Sequence, residues 1–303
     1  MDFEEFCLAL GNKMMIDYIK DCFSKKQPLL DGLHRKAMLL FKQYILVGGM
    51  PQSVEAFIEN EKSFYASDQV KRDILKLYRE DIQKIESGYQ AKVLGIYDQI
   101  PAFLSKHEKR VVLSTLSQNA SMEKYGDSFF WLSDSMICNE CFNCTDPNVG
   151  FMMNEDRTYI KCYMGDTGLL VSHAFSENEV TDNEVYKNIL YDRLNLNEGM
   201  FFENVVLQML VANGHKPYFY VHYDEKKHRN DIEIDFVISN KSKTKLKIAP
   251  IEVKSNKTYS IVSLERFNEK YKSRIENAYV IYPKNYKEEN GIIYLPAYMT
   301  ICL

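Results

Sequence analysis

The sequence predicts an α+β protein in which a helical N-terminal domain with a winged-helix region precedes a C-terminal α/β domain. The 303 residues exceed what one hydrophobic core usually holds, so two domains or one large domain are expected. Apolar residues recur at helical spacing up to about residue 118, and strand-like segments begin at about residue 218, after one further helical segment. A polar stretch at about 175–197 separates the two patterns, so the predicted domains are 1–174 and 185–303.

The first 118 residues have the pattern of a helical bundle. Apolar side chains return every three or four positions, as at Leu40 and Tyr44. Gly48 and Gly49, followed by Pro51, predict the end of one helix, a tight turn and a new helix with proline in its first turn.

A winged-helix region is predicted at about residues 90–170. The order there is helix, strand, turn-rich loop and strand, at Tyr125–Met136, Ile137–Asn143, 145–150 and Tyr159–Tyr163. The helix carries Asp127 and Asp134 and no Lys or Arg, and an acidic helix repels phosphate. The region is therefore either a DNA-binding module or a packing and interaction module.

Asp166 follows the second of these strands and begins the segment Asp166-Thr167-Gly168-Leu169-Leu170. Such a segment can be a phosphate-binding loop or the start of a helix. Aspartate is a strong N-cap residue, so the sequence favours a helix that begins after Asp166.

The C-terminal domain is predicted to be a sheet with crossover helices, because strand-like segments there alternate with helical ones. The helices are expected at Glu198–Asn213 and Ser260–Tyr271. The strands are expected at Tyr218–Tyr223, Glu233–Ile238, Lys247–Lys254 and Ala278–Tyr282.

Two of these strands carry residues suited to phosphodiester chemistry. Polar and apolar residues alternate along Glu233–Ile238, which predicts that Glu233 and Asp235 project from one face. Seventeen residues after Asp235 comes Glu252, and Lys254 shares its face. Two carboxylates can hold Mg²⁺, which neutralises phosphate charge and activates water, and a lysine can stabilise the transition state. The trio predicts Mg²⁺-dependent hydrolysis.

This pattern resembles the PD-(D/E)XK nuclease superfamily, with Asp235 as the first acid and Glu252-Val253-Lys254 as the second motif. Glu203, in Gly199-Met-Phe-Phe-Glu-Asn, matches the acid that this superfamily often has on a preceding helix. The resemblance implies a restriction-endonuclease-like α/β domain with Asp235, Glu252, Lys254 and Glu203 as catalytic residues. It also implies that Asp235 and Glu252 bind the metal, that the Val253 carbonyl is a further ligand, and that Glu203 is an outer ligand.

A second resemblance covers nearly the whole chain and rests on five motifs in order. These are Tyr44-Ile-Leu-Val-Gly-Gly-Met-Pro, Lys161-Cys-Tyr-Met-Gly-Asp-Thr-Gly-Leu-Leu, Phe202-Glu-Asn-Val-Val, Glu233-Ile-Asp-Phe-Val-Ile and Ile251-Glu-Val-Lys. The order is similar to that in prokaryotic AAA-type ATPases in which an ATPase module precedes a winged-helix region and a nuclease-like domain of unknown function.

The chain departs from that family in one respect, because no Gly-x-x-x-x-Gly-Lys-Ser/Thr motif occurs. Met1-Asp-Phe-Glu-Glu-Phe resembles the point just after the ATPase module. We therefore expect no ATP site in this chain, and we expect a protein partner or the missing ATPase module near its N-terminus.

A lysine-rich stretch follows the strand that carries Asp235. Residues 222–287 contain 15 Lys and Arg but 9 Asp and Glu, although the whole chain has a net charge of −4. The candidate nucleic-acid-binding residues are Lys241, Lys243, Lys245, Lys247 and Lys257. The alternating lysines of this set are either a phosphate-facing surface or a guard on an edge strand against aggregation.

The cysteines allow two interpretations. Cys138, Cys141 and Cys144 have metal-box spacing, and Cys162 is a candidate fourth ligand. In an extended strand Cys141 faces away from the other two, so buried, reduced thiols are favoured over a metal site. Seven cysteines in a chain with no signal peptide and no long apolar run predict a reduced, cytoplasmic protein without a membrane segment.

Two functions follow from the sequence. The first is a Mg²⁺-dependent nuclease that acts on the phosphodiesters of DNA or RNA. The alternative is a non-catalytic nucleic-acid- or protein-binding module of an AAA-type ATPase that retains the nuclease fold. A remnant without a function of its own is a third possibility.

Overall fold

The structure, a computed structural model, describes residues 1–106, 108–148, 150–176, 186, 198–226, 228–240, 247–255 and 259–303. These residues form two compact units. Unit 1 comprises Met1–Lys13, Leu39–Glu140 and Lys161–Gln208, and unit 2 comprises Met14–Met38, Cys141–Ile160 and Met209–Leu303. Most of the domain boundary predicted at 175–197 lies outside the described residues, so that boundary stays a prediction.

The first 105 residues are helical, as predicted. Capping explains several of the helix starts: Asp2 and Glu5 form a capping box at α1, Pro51 opens α4, and Ser63 accepts a hydrogen bond from the Ala66 N–H at α5. The helices are α1 (Phe3–Ala9), α2 (Lys13–Ser24), α3 (Asp31–Val47), α4 (Pro51–Glu59), α5 (Phe64–Gln83) and α6 (Ser87–Ser105).

The next segment contains the predicted helix and two strands. They are α7 (Met122–Asp134), β1 (Cys138–Cys144) and β2 (Glu155–Met164), followed by α8 (Thr167–Ala174). Strand β1 pairs with a later strand as well as neighbouring β2, so the two strands belong to a larger sheet. The winged-helix interpretation stays a prediction.

The C-terminal part has the predicted elements and one hairpin more. The elements are α9 (Glu198–Ala212), β3 (Tyr218–Asp224), β4 (Arg229–Asn240), β5 (Lys247–Val253), α10 (Val262–Lys270), β6 (Ala278–Tyr282), β7 (Lys287–Glu289) and β8 (Ile292–Pro296). Strands β7 and β8 were not predicted. Asn290 and Gly291 join them, both with positive φ, in a two-residue hairpin turn.

The eight strands of the described residues form one mixed sheet in the order β2-β1-β3-β4-β5-β6-β8-β7. Strand β4 is antiparallel to both neighbours, whereas β5, β6 and β8 run parallel to one another. In unit 2 the α10 residues Leu264 and Phe267 pack on the sheet with Ile234, Val237 and Val280. This confirms an α+β protein with a helical N-terminal region, and the restriction-endonuclease-like fold stays a prediction.

The start of α8 in unit 1 confirms the predicted cap. The Asp166 carboxylate accepts a hydrogen bond from the Leu169 N–H at 2.9 Å and a second one from the Gly49 N–H at 2.6 Å. A Cβ on Gly48 would lie 2.2 Å from Asp166 Oδ1, so only glycine fits there. The predicted turn after α3 is thus fixed by the helix cap of α8.

No helix of the described residues is both long enough and apolar enough to cross a membrane.

Candidate functional site

The candidate site lies in unit 2, where β4 and β5 run antiparallel. Phe236 pairs with Ile251, so Asp235 and Glu252 are the next residues along the two strands. Opposed residues of neighbouring strands have Cβ atoms about 5 Å apart, which is within reach for two carboxyl side chains. The strand register therefore brings the two acids together.

A β-bulge interrupts β4 at this point. Tyr218 pairs with Val237, but Tyr220 pairs with Ile234, so two steps along β3 span three along β4. Ile234 and Val237 both belong to the core cluster although they are three positions apart. Regular alternation would place them on opposite faces, so the alternation that holds at Ile232 and Ile234 breaks between Ile234 and Val237. That Glu233 and Asp235 share one face stays a prediction. Bulges re-aim side chains, and this one lies at the first acid of the motif.

The side chains of Asp235, Glu252 and Lys254 are linked to one another. Asp235 and Glu252 share a hydrogen bond, and Lys254 Nζ donates to Glu252 Oε2 over 3.3 Å. Backbone contacts hold the group in place: the Val253 N–H donates to Asp235 Oδ2 at 2.8 Å, and the Lys254 N–H donates to the Ile281 carbonyl at 2.8 Å. The first bond links β5 to β4 and the second links the residue after β5 to β6, so both tie the group to the sheet.

Burial dominates the electrostatics of this group. Glu252 is only 4 % exposed, whereas the Lys254 side chain is 22 % exposed. Burial, and next the negative charge of Asp235, raises the pKa of Glu252 well above its ordinary value, and Lys254 opposes the rise only in part. The arrangement is one buried and one half-buried carboxyl group with one partly accessible ammonium group.

Glu203 lies in unit 1, on α9, and its carboxylate has three partners there. Lys109 Nζ lies 2.6 Å from Oε2 and Lys161 Nζ lies 3.4 Å from Oε1. The Tyr163 hydroxyl donates a short hydrogen bond to Oε1. Glu203 is thus a buried anion held by two cations and a phenol, and its role as an outer metal ligand stays a prediction.

Of the predicted nucleic-acid-binding lysines, the structure describes Lys247. Its Nζ donates to the Ser273 carbonyl at 2.9 Å. Lys241, Lys243, Lys245 and Lys257 lie outside the described residues. Lys247 begins β5, which lies between β4 and β6, so the edge-strand interpretation is wrong for this lysine. For the other alternating lysines both interpretations stay predictions.

The four cysteines of the possible metal box are buried, which confirms the favoured burial, and no disulfide links them: Cys138, Cys141, Cys144 and Cys162. A hydrogen bond with Cys162, and next burial, raises the pKa of the Cys138 thiol well above its ordinary value. In the part of the chain that the structure describes, no three or more His, Cys, Asp or Glu side chains form a group that could hold a metal ion.

A second acid beside a bulge was not identified from the sequence. His222 Nδ1 lies 2.6 Å from Asp231 Oδ1, and the Arg266 guanidinium donates to the Asp231 carbonyl at 2.9 Å. The register shifts again between His222 and Tyr223. Sequence alternation does not reveal such pairs, because a bulge changes which side chains meet.

Two family models match this chain. Residues 38–179 match a domain of unknown function (DUF8612). Residues 198–299 match a domain of unknown function (DUF4143), a domain often found with AAA ATPases. No curated protein and no solved structure matches the chain. The candidate site lies within the second matched region, so the chain is similar to one uncharacterised domain over its helical part and to another over the part that carries the site.

Proposed function

We propose that the chain is a metal-dependent phosphodiester hydrolase that acts on nucleic acid, with its site at Asp235, Glu252 and Lys254. The observation that carries the proposal is the contact between these three side chains, which joins the middle of β4 to the C-terminal end of β5. An acid pair with an adjacent lysine is suited to phosphodiester hydrolysis, because the acids can hold a metal ion and the lysine can stabilise charge on the phosphate. The excess of 15 basic over 9 acidic residues in 222–287 supports a polyanionic substrate.

The two carboxyl groups suit a divalent cation. They lie in contact within a largely buried setting, where their negative charge needs a counter-charge beyond the one that Lys254 supplies. Carboxylate oxygens are the ligands that Mg²⁺ prefers. When bound, Mg²⁺ would neutralise phosphate charge and lower the pKa of a water molecule. Asp235 and Glu252 are the residues that would hold it.

The protein groups have separate roles in this proposal. Asp235 is oriented by the Val253 N–H, which fixes one carboxylate oxygen at 2.8 Å. Lys254 has a backbone anchored to β6 and a partly exposed side chain, so its ammonium group can donate to a phosphate oxygen. Glu252 connects the two through its side-chain hydrogen bonds to Asp235 and Lys254.

The test is cleavage of supercoiled DNA and of labelled single-stranded DNA and RNA with Mg²⁺ or Mn²⁺. We expect cleavage by the wild type, loss with chelator, and a drop of about a hundredfold or more in Glu252→Gln and Lys254→Met. Glu289→Gln is the matched control, since Glu289 is an exposed glutamate on β7 of the same sheet. Equal cleavage by all four proteins would assign the activity to a contaminant and refute the proposal.

A second function is supported by the position of Glu203. Its two carboxylate oxygens are taken up by Lys109, Lys161 and Tyr163, as in a group that stabilises the fold. An acid of the nuclease-like motif that is paired within the fold fits a non-catalytic module. Such a module would bind nucleic acid or protein beside an AAA-type ATPase. Retention of labelled DNA or of such an ATPase, with no cleavage under any metal condition, would favour this function over hydrolysis.

A further inference from the structure

Unit 1 contains an open cleft of about 840 Å³ between α5, α6 and the end of α8. The volume lies in the range of pockets that hold small organic ligands, which is about 300–1,000 Å³. None of the residues of the candidate hydrolase site lines it. The proposed hydrolase function therefore does not account for the cleft.

One wall of this cleft is cationic. Arg72, Lys76 and Arg79 lie four and three residues apart on α5, so they share one face of the helix. Asp98 on α6 is the acidic residue that lines the cleft. His173 also lines it, and burial lowers the pKa of its imidazole, so it adds no charge near neutral pH. Among the described lining residues, three cations and one acid give a formal net charge of +2.

The three cations differ in how far they are already engaged. The Arg72 guanidinium is fixed by Asp68 at 2.7 Å and by the Phe175 carbonyl at 3.2 Å. Arg79 forms a two-pronged pair with Asp98. Lys76 makes no hydrogen bond and no ion pair with any residue that the structure describes, and it is exposed on the cleft. A ligand anion would meet Lys76 first and Arg79 beside it.

The cleft continues into an apolar pocket of about 300 Å³. The two share Pro101, Ala102, Ala174 and Phe175 as walls, and the smaller pocket ends against Phe201. Apolar walls favour the binding of an apolar ligand surface, because they remove that surface from water. The combined space is cationic at one end and apolar at the other.

We propose that this bipartite cleft binds a small organic anion with an apolar body, its anionic group at Lys76 and Arg79 and its apolar part against Ala102 and Phe201. Both halves of the cleft are required: the cations supply charge-assisted hydrogen bonds, and the apolar pocket supplies the remaining affinity. The site is separate from the proposed hydrolase site, so either proposal can fail alone.

The test uses n-octyl phosphate, kept below its critical micelle concentration, as the probe in titration calorimetry with the full chain. We expect saturable one-to-one binding, at least tenfold tighter than inorganic phosphate or the neutral n-octyl glucoside. Lys76→Ala should weaken binding about tenfold, because it removes a charge-assisted hydrogen bond. Ala102→Trp should abolish it, because Ala102 is exposed and the larger side chain fills the cleft.

Lys84→Ala is the matched control, an exposed lysine at the end of α5, and it should bind as the wild type does. Each variant should unfold at the wild-type temperature, since each change is at an exposed position. The proposal is overturned if the wild type does not bind n-octyl phosphate. It is also overturned if n-octyl glucoside binds equally well, or if binding survives both Lys76→Ala and Ala102→Trp.

Discussion

Glu252 is a residue whose burial is unfavourable for the fold and whose carboxyl group is suited to the proposed chemistry. Its carboxyl group is buried and lies beside that of Asp235. Burial and the negative charge of Asp235 both raise the pKa of Glu252. The residue type and its spacing from Lys254 are visible in the sequence, which is why these residues could be named beforehand. The hydrogen bond between the two acids depends on strand register and burial, which no local pattern contains.

The first prediction concerns the stability of Glu252→Gln. The amide keeps the shape and hydrogen-bonding capacity of the acid and cannot ionise beside Asp235. We expect the free energy of unfolding to stay unchanged or to rise by about 1 kcal/mol, as is common when a functional acid is removed. Urea denaturation at neutral pH measures it. A loss of more than about 2 kcal/mol would show that Glu252 has a structural role instead.

Lys71 gives a second prediction at the residue scale, for the pH dependence of stability. Its side chain is wholly buried on α5, its Nζ donates to the Leu46 carbonyl at 2.6 Å, and burial lowers its pKa to about 8 from 10.5. Between these pH values the unfolded chain binds more protons than the folded chain. The free energy of unfolding therefore rises with pH across that window because of Lys71. Below the window Lys71 is charged in the folded protein, and its destabilising effect is largest there.

Lys71→Met should remove that rise. Relative to wild type, the variant should lose about 1–3 kcal/mol of stability between about pH 7.5 and about pH 10. Urea unfolding curves at the two pH values provide the comparison, with Lys84→Met as an exposed control that should show no such change. If the difference in free energy of unfolding between wild type and Lys71→Met is the same at both pH values, the pKa of Lys71 is not lowered in the folded protein.

At the scale of elements, helices and central strands could be predicted more easily than edges and irregularities. Ala278–Tyr282 was predicted with its observed bounds because a short apolar run in a buried strand is a local signal. The β7–β8 hairpin was missed although Asn290-Gly291 is a strong turn signal. The bulge at Asp235 could not be predicted, because it is defined only by the pairing of β4 with β3.

The turn after α3 supplies the third prediction. Gly48 has a φ of +81°, and a Cβ there would meet Asp166 Oδ1 at 2.2 Å. Gly48→Ala should therefore lower the free energy of unfolding by about 2–4 kcal/mol through backbone strain and collision. Gly88→Ala is the matched control, since Gly88 lies in α6 with no atom within 4 Å of an added Cβ, and it should be neutral or stabilising. Thermal unfolding of both variants distinguishes them, and equal melting temperatures would contradict the account.

At the scale of the whole molecule, the chain combines two regions that each match an uncharacterised domain, at 38–179 and 198–299. The change of hydrophobic period along the chain predicted a helical part and a sheet part. Discontinuous units could not be predicted in this way, because segments such as Met14–Met38 join unit 2 through contacts distant in sequence. Glu203 illustrates the same limit, since its partners Lys109 and Lys161 come from separate segments.

The proposed hydrolase function requires that Asp235 and Glu252 form a site for a divalent cation. Anomalous diffraction from crystals grown with Mn²⁺ tests it most directly, because Mn²⁺ takes the same oxygen ligands as Mg²⁺ and scatters anomalously. We predict one strong peak between the two carboxylates at about 2.0–2.3 Å from their oxygens, and its loss in Glu252→Gln. A peak-free site at saturating Mn²⁺, or a peak that persists in Glu252→Gln, would contradict the account.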